Sequence, residues 1–154
     1  MEVDDEPVLA ALGRLMAAVG DPDPALGEIG RAWLTEVQLG FRSGRDPYGQ
    51  PWRPPLRGGQ PLRDTGRLRD SFTYHVGSGE LELGTNVRYA RPHQQGATIR
   101  ARHQPYLVFR VGERWARKRA VELPRRRMLP DEGLPEHWRE TALQILQDHI
   151  TEAL

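Results

Sequence analysis

The stretch FTYHVGSGELELG, residues 72–84, decides the fold class, because it predicts strands in a chain whose two ends have helical patterns. Its halves, FTYHV (72–76) and ELELG (80–84), alternate polar and apolar residues with the period of a half-buried β-strand. The segment GSG between them supplies a short turn. The stretch therefore predicts a β-hairpin.

Two helices are predicted before this hairpin. In residues 7–19 apolar side chains recur at helical spacing up to Gly20. The segment DPDP then interrupts the pattern, with Asp23 as a suitable N-cap and Pro24 at the first helical position. A second helix follows and ends by Gly44; its apolar face comprises Leu26, Ile29, Trp33, Val37 and Phe41.

After the first hairpin, residues 105–124 are predicted to form a longer, basic hairpin. YLVFRV (106–111) is the strongest β pattern, and AVEL (120–123) is its expected antiparallel partner across GERWARKR. Residues 134–153 predict a long C-terminal helix. This order is typical of the α+β class, with helices on one face of a mainly antiparallel sheet. We expect a single domain over residues 1–154.

Composition excludes several classes of protein. The chain contains no Cys, which excludes disulfide scaffolds, thiol catalysis and zinc sites with thiolate ligands. No stretch approaches the roughly 18 unbroken apolar residues of a membrane span. The acidic N-terminus, MEVDDEPV, differs from the basic start of a secretory signal. We therefore expect a protein of the cytoplasm with no membrane contact.

Signals of catalysis or metal binding are weak. None of the five His residues pairs with another at the four-residue spacing that places two metal ligands on one helical face. No Ser lies in a G-x-S-x-G turn, and GSGELELG lacks the Lys and the strand-to-helix context of a phosphate-binding loop. We expect no enzyme activity, no metal and no cofactor.

Charge is distributed unevenly along the chain. Residues 1–40 hold two Arg against eight acids, a net charge of −6, and residues 131–154 hold one Arg against six acids, a net charge of −5. The residues between them hold 19 basic and seven acidic groups, a net charge of +12, so the whole chain carries +1. This asymmetry favours an anionic partner. The alternative is a coding bias towards Arg, with the acidic ends pairing with the basic middle within or between subunits.

Two compact basic clusters lie in that middle region. RWARKRA (114–120) includes an aromatic residue that can stack on a partner, and RRR (125–127) follows it. No helix-turn-helix, zinc finger or RNP-like strand accompanies them, so sequence-specific recognition has no support and only non-specific contact with DNA stays open. The candidate contact residues are Arg114, Trp115, Arg117, Lys118, Arg119, Arg125, Arg126 and Arg127.

Four segments occur in a distinctive order: RDPYGQPWRPP (45–55), DTGRLRDSF (64–72), LGTNVRYARPHQQGATI (83–99) and LPRRRML (123–129). They resemble the D-P-x-G-x-x-W, T-G-x-L-x-x-S, Y-A-x-x-H-Q-x-G and P-A-R-P-F-L-like motifs of the phage virion morphogenesis, or tail completion, family of Mu-like and other contractile-tailed phages and prophages. The resemblance covers about residues 24–150. The fourth motif departs from the family, because Arg and Met occupy its small and aromatic positions, and its contacts can therefore differ here.

The resemblance implies a structural protein that completes or terminates the tail and joins it to the head without catalysis. Related neck and tail-terminator proteins form rings, usually hexamers, through which the genome passes. A homo-oligomeric ring in the virion tail or neck is therefore expected, assembled in the host cytoplasm beside tail tube, sheath or neck/connector proteins. The basic clusters would lie near the lumen or an adjoining ring.

Candidate residues of the ring interface lie in the Pro/Gly-rich loop 44–61 and in the third motif. They are Asp46, Pro47, Tyr48, Gly49, Trp52, Tyr89, His93 and Gln94. Large aromatic residues in a loop without a periodic core face either cap the domain's own core or anchor a neighbouring subunit.

Some motif residues also have purely structural explanations. Thr65 and Gly66 fit an N-cap and a position that needs backbone freedom. The Tyr89 segment fits a short helical turn ended by Gly96, and His93 fits a hydrogen-bonded structural histidine better than a ligand. Two other functions stay open: a monomeric, non-specific DNA-binding protein that uses the Arg-rich hairpin, and a small nuclease with a carboxylate metal site.

Overall fold

The computed structural model of the chain describes residues 5–55, 61–62, 66–100, 107–111, 114–118 and 120–154. Within these residues helices and short strands come in separate runs along the chain, so the predicted α+β class is confirmed. The helices are α1 (Glu6–Val19), α2 (Asp23–Ser43), α3 (Arg67–Ser71), α4 (Ala90–Gln95) and α5 (Glu136–Ala153). The strands are β1 (Thr73–Gly77), β2 (Glu80–Gly84), β3 (Ala97–Arg100), β4 (Leu107–Val111), β5 (Arg114–Lys118) and β6 (Ala120–Leu123). No helix in the described part of the chain is long and apolar enough to cross a membrane.

The chain divides into two compact units that interleave along the sequence. Unit 1 comprises Met1–Leu39, Phe72–Gly84 and Pro130–Leu154. Unit 2 comprises Gly40–Ser71 and Thr85–Leu129. Unit 1 therefore contains α1, most of α2, the first hairpin and α5, whereas unit 2 contains all of the other elements.

Both ends of α1 follow from its sequence. The carboxylate of Asp5 accepts a hydrogen bond from the backbone N–H of Val8 at 3.3 Å, and Pro7 occupies the first turn, where its missing N–H costs nothing. The helix ends at Gly20, which has a φ of 82° and donates its N–H to the carbonyl of Met16. The predicted first helix is confirmed.

The predicted apolar face of α2 is also confirmed. All five of its residues are buried, from Leu26 to Phe41. In unit 1, Trp33 stacks on Trp138 of α5 with ring centroids 5.5 Å apart, and its Nε1 donates to the Trp138 carbonyl at 3.1 Å. Helix α5 buries Trp138, Ala142 and Leu146 at four-residue spacing, and α1 packs along it. These contacts form the core of unit 1.

The predicted N-cap of α2 is wrong by one residue, because Asp23 is the first helical residue rather than the cap. Its carboxylate accepts a hydrogen bond from the N–H of Gly79 at 3.0 Å, in the turn of the first hairpin. The local contact at the helix start comes from Asp21 instead, whose carboxylate accepts a hydrogen bond from the Asp23 N–H at 3.1 Å. The bond from Gly79 to Asp23 fastens the start of α2 to the hairpin.

The β1–β2 hairpin is confirmed with a tight turn. The strands are antiparallel and pair from Thr73 with Gly84 to Gly77 with Glu80. The two residues between them, Ser78 and Gly79, have φ values of 54° and 76°. Positive φ at both central residues is the requirement of a type I′ turn, whose twist matches that of the strands.

The predicted pairing of the second hairpin is wrong. Strand β4 pairs antiparallel with β5, from Leu107 with Lys118 to Val111 with Arg114, and AVEL (β6) pairs with β3 instead. The charges of RWARK suggest a hairpin tip, but strand pairing depends on backbone hydrogen bonds. Pairing β4 with β5 closes a loop of two residues, which costs less entropy than closing the eight-residue segment between β4 and β6.

The strands pair antiparallel, as predicted, and form three two-stranded ladders in the described residues, β1–β2, β3–β6 and β4–β5. Strand β3 was not predicted, because its four residues, ATIR, are too few to show a period.

Candidate functional site

The first motif forms a turn closed by its own aspartate. One carboxylate oxygen of Asp46 accepts hydrogen bonds from the backbone N–H groups of Tyr48 and Gln50, each at 2.9 Å. The backbone N–H of Asp46 donates to the Gln50 carbonyl at 2.8 Å. Gly49 has a φ of 86°, a conformation that favours glycine. The D-P-x-G pattern therefore encodes the shape of this turn.

The same aspartate joins the first motif to the fourth. The second carboxylate oxygen of Asp46 accepts hydrogen bonds from Arg127 at 3.1 and 3.3 Å, through Nη2 and Nε. The Arg127 guanidinium also lies 4.5 Å from the ring centroid of Tyr48. Only 7% of the Asp46 side chain and 16% of the Arg127 side chain are exposed. A shielded, charge-assisted pair of this kind fixes the position of both segments.

Trp52 is the buried centre of the first motif. It is 6% exposed and packs edge-on against Phe41 with ring centroids 5.4 Å apart. Its Nε1 donates to the carbonyl of Arg127 at 2.9 Å, and its backbone N–H donates to the Gly44 carbonyl at 2.7 Å. Trp52 therefore caps the core of unit 2, which was one of the two predicted explanations.

The side chain of Gln94 joins the third motif to the fourth. Its Oε1 accepts hydrogen bonds from the backbone N–H groups of Met128 at 2.8 Å and Leu129 at 3.1 Å, and its Nε2 donates to the Leu129 carbonyl at 2.8 Å. One amide side chain thus satisfies three backbone groups of the fourth motif. At Gly96 a Cβ would lie 3.3 Å from the Leu123 carbonyl oxygen and from the Arg125 nitrogen, so the two segments are in close backbone contact.

Arg126 lies between these segments and is 5% exposed. Its backbone N–H donates to the His93 carbonyl at 2.7 Å, and its Nε donates to the Arg53 carbonyl at 2.9 Å. The His93 Nδ1 is buried and has no hydrogen-bond partner among the described residues, so the predicted hydrogen bond is not found at this atom. Burial, reinforced by the positive charge of Arg126, lowers the pKa of His93.

The second motif joins the cluster through the third. The Arg67 guanidinium lies 5.9 Å from the ring centroid of Tyr89, and the Ser71 hydroxyl lies 2.6 Å from that of Thr85. Gly66 has a φ of 75°, which confirms that its position requires backbone freedom. The predicted N-cap, Thr65, lies outside the described residues.

These contacts define a motif cluster in unit 2 that brings all four motifs together. It consists of Asp46, Tyr48, Trp52, Arg67, Tyr89, His93, Gln94, Arg126, Arg127 and Met128. Sequence reasoning missed Arg67 as a partner of Tyr89, because nothing in the local pattern relates positions so far apart. The position of Gln94 within a motif was a signal, but its three backbone partners were not predictable.

The predicted site residues thus fall into two groups. Six of the eight interface candidates lie in the motif cluster, and the other two, Pro47 and Gly49, lie in its turn. Of the DNA or lumen candidates, Arg126 and Arg127 belong to the cluster, whereas Arg125 is exposed. Arg114, Trp115, Arg117 and Lys118 lie on β5, and Arg119 lies outside the described residues. Their roles in a ring interface or in DNA contact stay predictions.

The two units carry net charges of opposite sign. The sequence ranges of unit 1 hold three Arg against sixteen Asp and Glu, a net charge of −13. Those of unit 2 hold nineteen Arg and Lys against five acids, a net charge of +14, so the two together return the overall +1. The charge difference between the units is larger than the one between the middle and the ends of the sequence, because the acidic strand β2 belongs to unit 1. No three His, Asp or Glu side chains in the described ranges lie close enough to hold a metal ion.

The fold and the motif cluster define a small α+β protein in which polar contacts hold four sequence motifs together. Residues 3–151 match the model of the phage virion morphogenesis family, and the chain therefore belongs to this family. The chain is also similar to the protein named Mu-like prophage FluMu G protein 2 of Haemophilus influenzae, with 29% identity over 109 residues, which are 66% of this chain and 77% of that protein. No solved structure gives a significant match. The family membership confirms the resemblance and supports a structural or assembly role in a phage or prophage.

Proposed function

We propose that this protein completes or terminates the phage tail at its head-proximal end and mediates head–tail joining as a homo-oligomeric ring, with six copies as the expected number. Its partners are further copies of itself and proteins of the tail tube, sheath or neck. It acts by shape and adhesion rather than by catalysis. The match to the family over residues 3–151 supports the class of protein.

The main support for the proposal is that side chains of the motifs form hydrogen bonds to the backbone of other segments. Trp52, Gln94 and Arg126 each donate a side-chain hydrogen bond to a backbone carbonyl of another segment. Such bonds set the path of the chain, because each bonded backbone group is held at one position relative to its donor. Motifs that encode a chain path favour a protein that presents a defined surface.

The charges of the two units support the ring. Each subunit of a closed ring contacts its neighbours through two different surfaces, because the contacts are heterologous. The two units of one copy carry net charges of opposite sign, −13 and +14. Complementary potentials of this kind steer association and suppress wrong pairings.

Deletion of the gene from an inducible prophage tests the proposal. We expect separate tails and DNA-filled heads by electron microscopy, with joined particles restored by the wild-type gene in trans. The exposed Gln95→Ala variant should complement as well as wild type, whereas Gln94→Ala should complement poorly. Normal titres of joined particles without the gene would contradict the role in head–tail joining.

The mass of the purified protein tests the ring separately. Static light scattering should give a multiple of the 17.5 kDa chain, with hexamers at 105 kDa if six copies close the ring. A monomer with strong, salt-sensitive affinity for DNA would support the alternative function as a DNA-binding protein.

A further inference from the structure

Helix α1 carries an apolar stripe on its exposed side. Leu9, Met16 and Val19 are 48%, 47% and 49% exposed, and the half-buried Leu12 lies between them on the helix surface. Their spacing of three, four and three residues places all four on one face. We call these four residues the α1 stripe.

The stripe exceeds what the fold of unit 1 requires. Helix α1 buries Ala11 and Leu15 against the rest of the chain. At about 100° per residue, the apolar arc from Ala11 to Leu9 spans about 160° of the helix, and the α1 stripe occupies the half of this arc that is largely exposed. Several large apolar side chains on one exposed face mark a contact surface.

The net charges of the two units favour unit 2 of another copy as the partner of this surface. The stripe belongs to unit 1, whose net charge is −13. A two-fold contact, stripe against stripe, would bring two strongly acidic units together, and like-charge juxtaposition costs several kcal/mol. A contact with unit 2 of another copy brings −13 to +14 and is heterologous, which is the geometry that generates rings.

We propose that the α1 stripe is the apolar centre of a subunit contact in which unit 1 of one copy docks onto unit 2 of the next. This inference rests on the proposed ring and names the surface that builds it. The apolar side chains supply the desolvated centre of the contact, and the opposite net charges of the two units supply orientation and rate.

Two substitutions at one exposed position test the sign of the charge on the surface that contacts the α1 stripe. Met16→Glu and Met16→Lys both remove the apolar contact and should raise the dissociation constant for self-association about tenfold or more. Against a basic occupant, Lys should weaken association several-fold more than Glu at 50 mM salt. The difference should vanish at 500 mM salt, where charges are screened. Sedimentation velocity measures both values, and far-UV circular dichroism checks the fold.

Leu39→Glu and Leu39→Lys are the matched controls. Leu39 is 42% exposed, belongs to unit 1 and lies outside the stripe, so these variants make the same changes in net charge. They should leave self-association within about threefold of wild type. A control pair as damaging as the Met16 pair would overturn the assignment of the stripe.

The remaining outcomes separate this inference from the proposed function. A larger loss with Glu than with Lys would show an acidic occupant, such as the stripe of a second copy, and would overturn the inference. So would Met16 variants that assemble as wild type does, although the ring itself would then stand. A wild-type protein that stays monomeric at both salt concentrations would instead remove the ring from the proposed function.

Discussion

The interior of unit 1 and the interior of unit 2 are stabilised by different kinds of contact. In unit 1 the core is made by apolar side chains on helices, with Trp33 stacked on Trp138 and Leu15 and Leu146 fully buried. In unit 2 the side chains of Trp52, Gln94 and Arg126 bind the backbone of distant segments, around a small apolar core. All four family motifs include residues of unit 2. Many apolar residues of suitable size can fill a packed core, whereas a side chain that makes three hydrogen bonds to the backbone cannot be exchanged for another type.

The largest test of this contrast is the removal of the aromatic centre of unit 2. Trp52→Ala should lower the free energy of unfolding by about 3–5 kcal/mol, because it leaves a cavity beside Phe41 and removes the hydrogen bond to the Arg127 carbonyl. Trp52→Phe keeps most of the ring volume and should cost less, about 1–3 kcal/mol. Urea unfolding measures both. An alanine variant of normal stability that no longer assembles would instead make Trp52 an intersubunit anchor.

The next test concerns a polar contact of unit 2. Gln94→Ala should lower the free energy of unfolding by about 2–3 kcal/mol, because it leaves backbone groups of Met128 and Leu129 without their partner. The neighbouring Gln95 is exposed, and Gln95→Ala should change stability by less than about 0.5 kcal/mol. Equal stabilities for the two variants would mean that the Gln94 contact does not hold the fourth motif in solution.

A pair of glycines in α2 tests the packing of unit 1. A Cβ at Gly30 would lie 2.5 Å from the Tyr74 ring and 2.8 Å from Leu81, so Gly30→Ala should cost about 1–2 kcal/mol net of its helix propensity. In the described residues, no atom outside the neighbouring residues and the adjacent helix backbone lies within 4 Å of a Cβ at Gly27, and Gly27→Ala should stabilise the protein by about 0.5–1 kcal/mol. Thermal unfolding resolves the opposite signs. Stabilisation by both substitutions would contradict the close contact between α2 and the hairpin.

The smallest expected effect is a pH dependence in unit 2. The pKa of His93 lies below its ordinary value of 6.5, so the unfolded chain binds this proton more readily than the folded chain. The stability contributed by neutral His93 is therefore complete above pH 6.5 and falls as the pH drops through the lowered pKa. His93→Gln should flatten this part of the curve of unfolding free energy against pH. Parallel curves for both proteins would show that protonation of His93 is not linked to folding.

The same contrast explains how much the sequence could predict. Unit 1 was predicted nearly in full, because the faces of α1, α2 and α5 and the hairpin at Ser78 and Gly79 are periodic or local signals. Strand β3 and the partner of β4 were missed, because pairing between short strands depends on contacts that no local pattern contains. In the site, the motif residues were found, but their mutual contacts were not. The bond from Arg127 to Asp46 joins positions 81 residues apart.

The central claim is that copies of this chain form a ring at the head-proximal end of the tail. Electron cryomicroscopy of particles that carry an affinity-tagged copy, decorated with an antibody against the tag, tests this claim most directly. We predict one ring of label at the junction of tail and head, and at the free end of tails that lack a head. Label along the tail tube, or unlabelled mature particles from cells that make the tagged protein, would contradict the account.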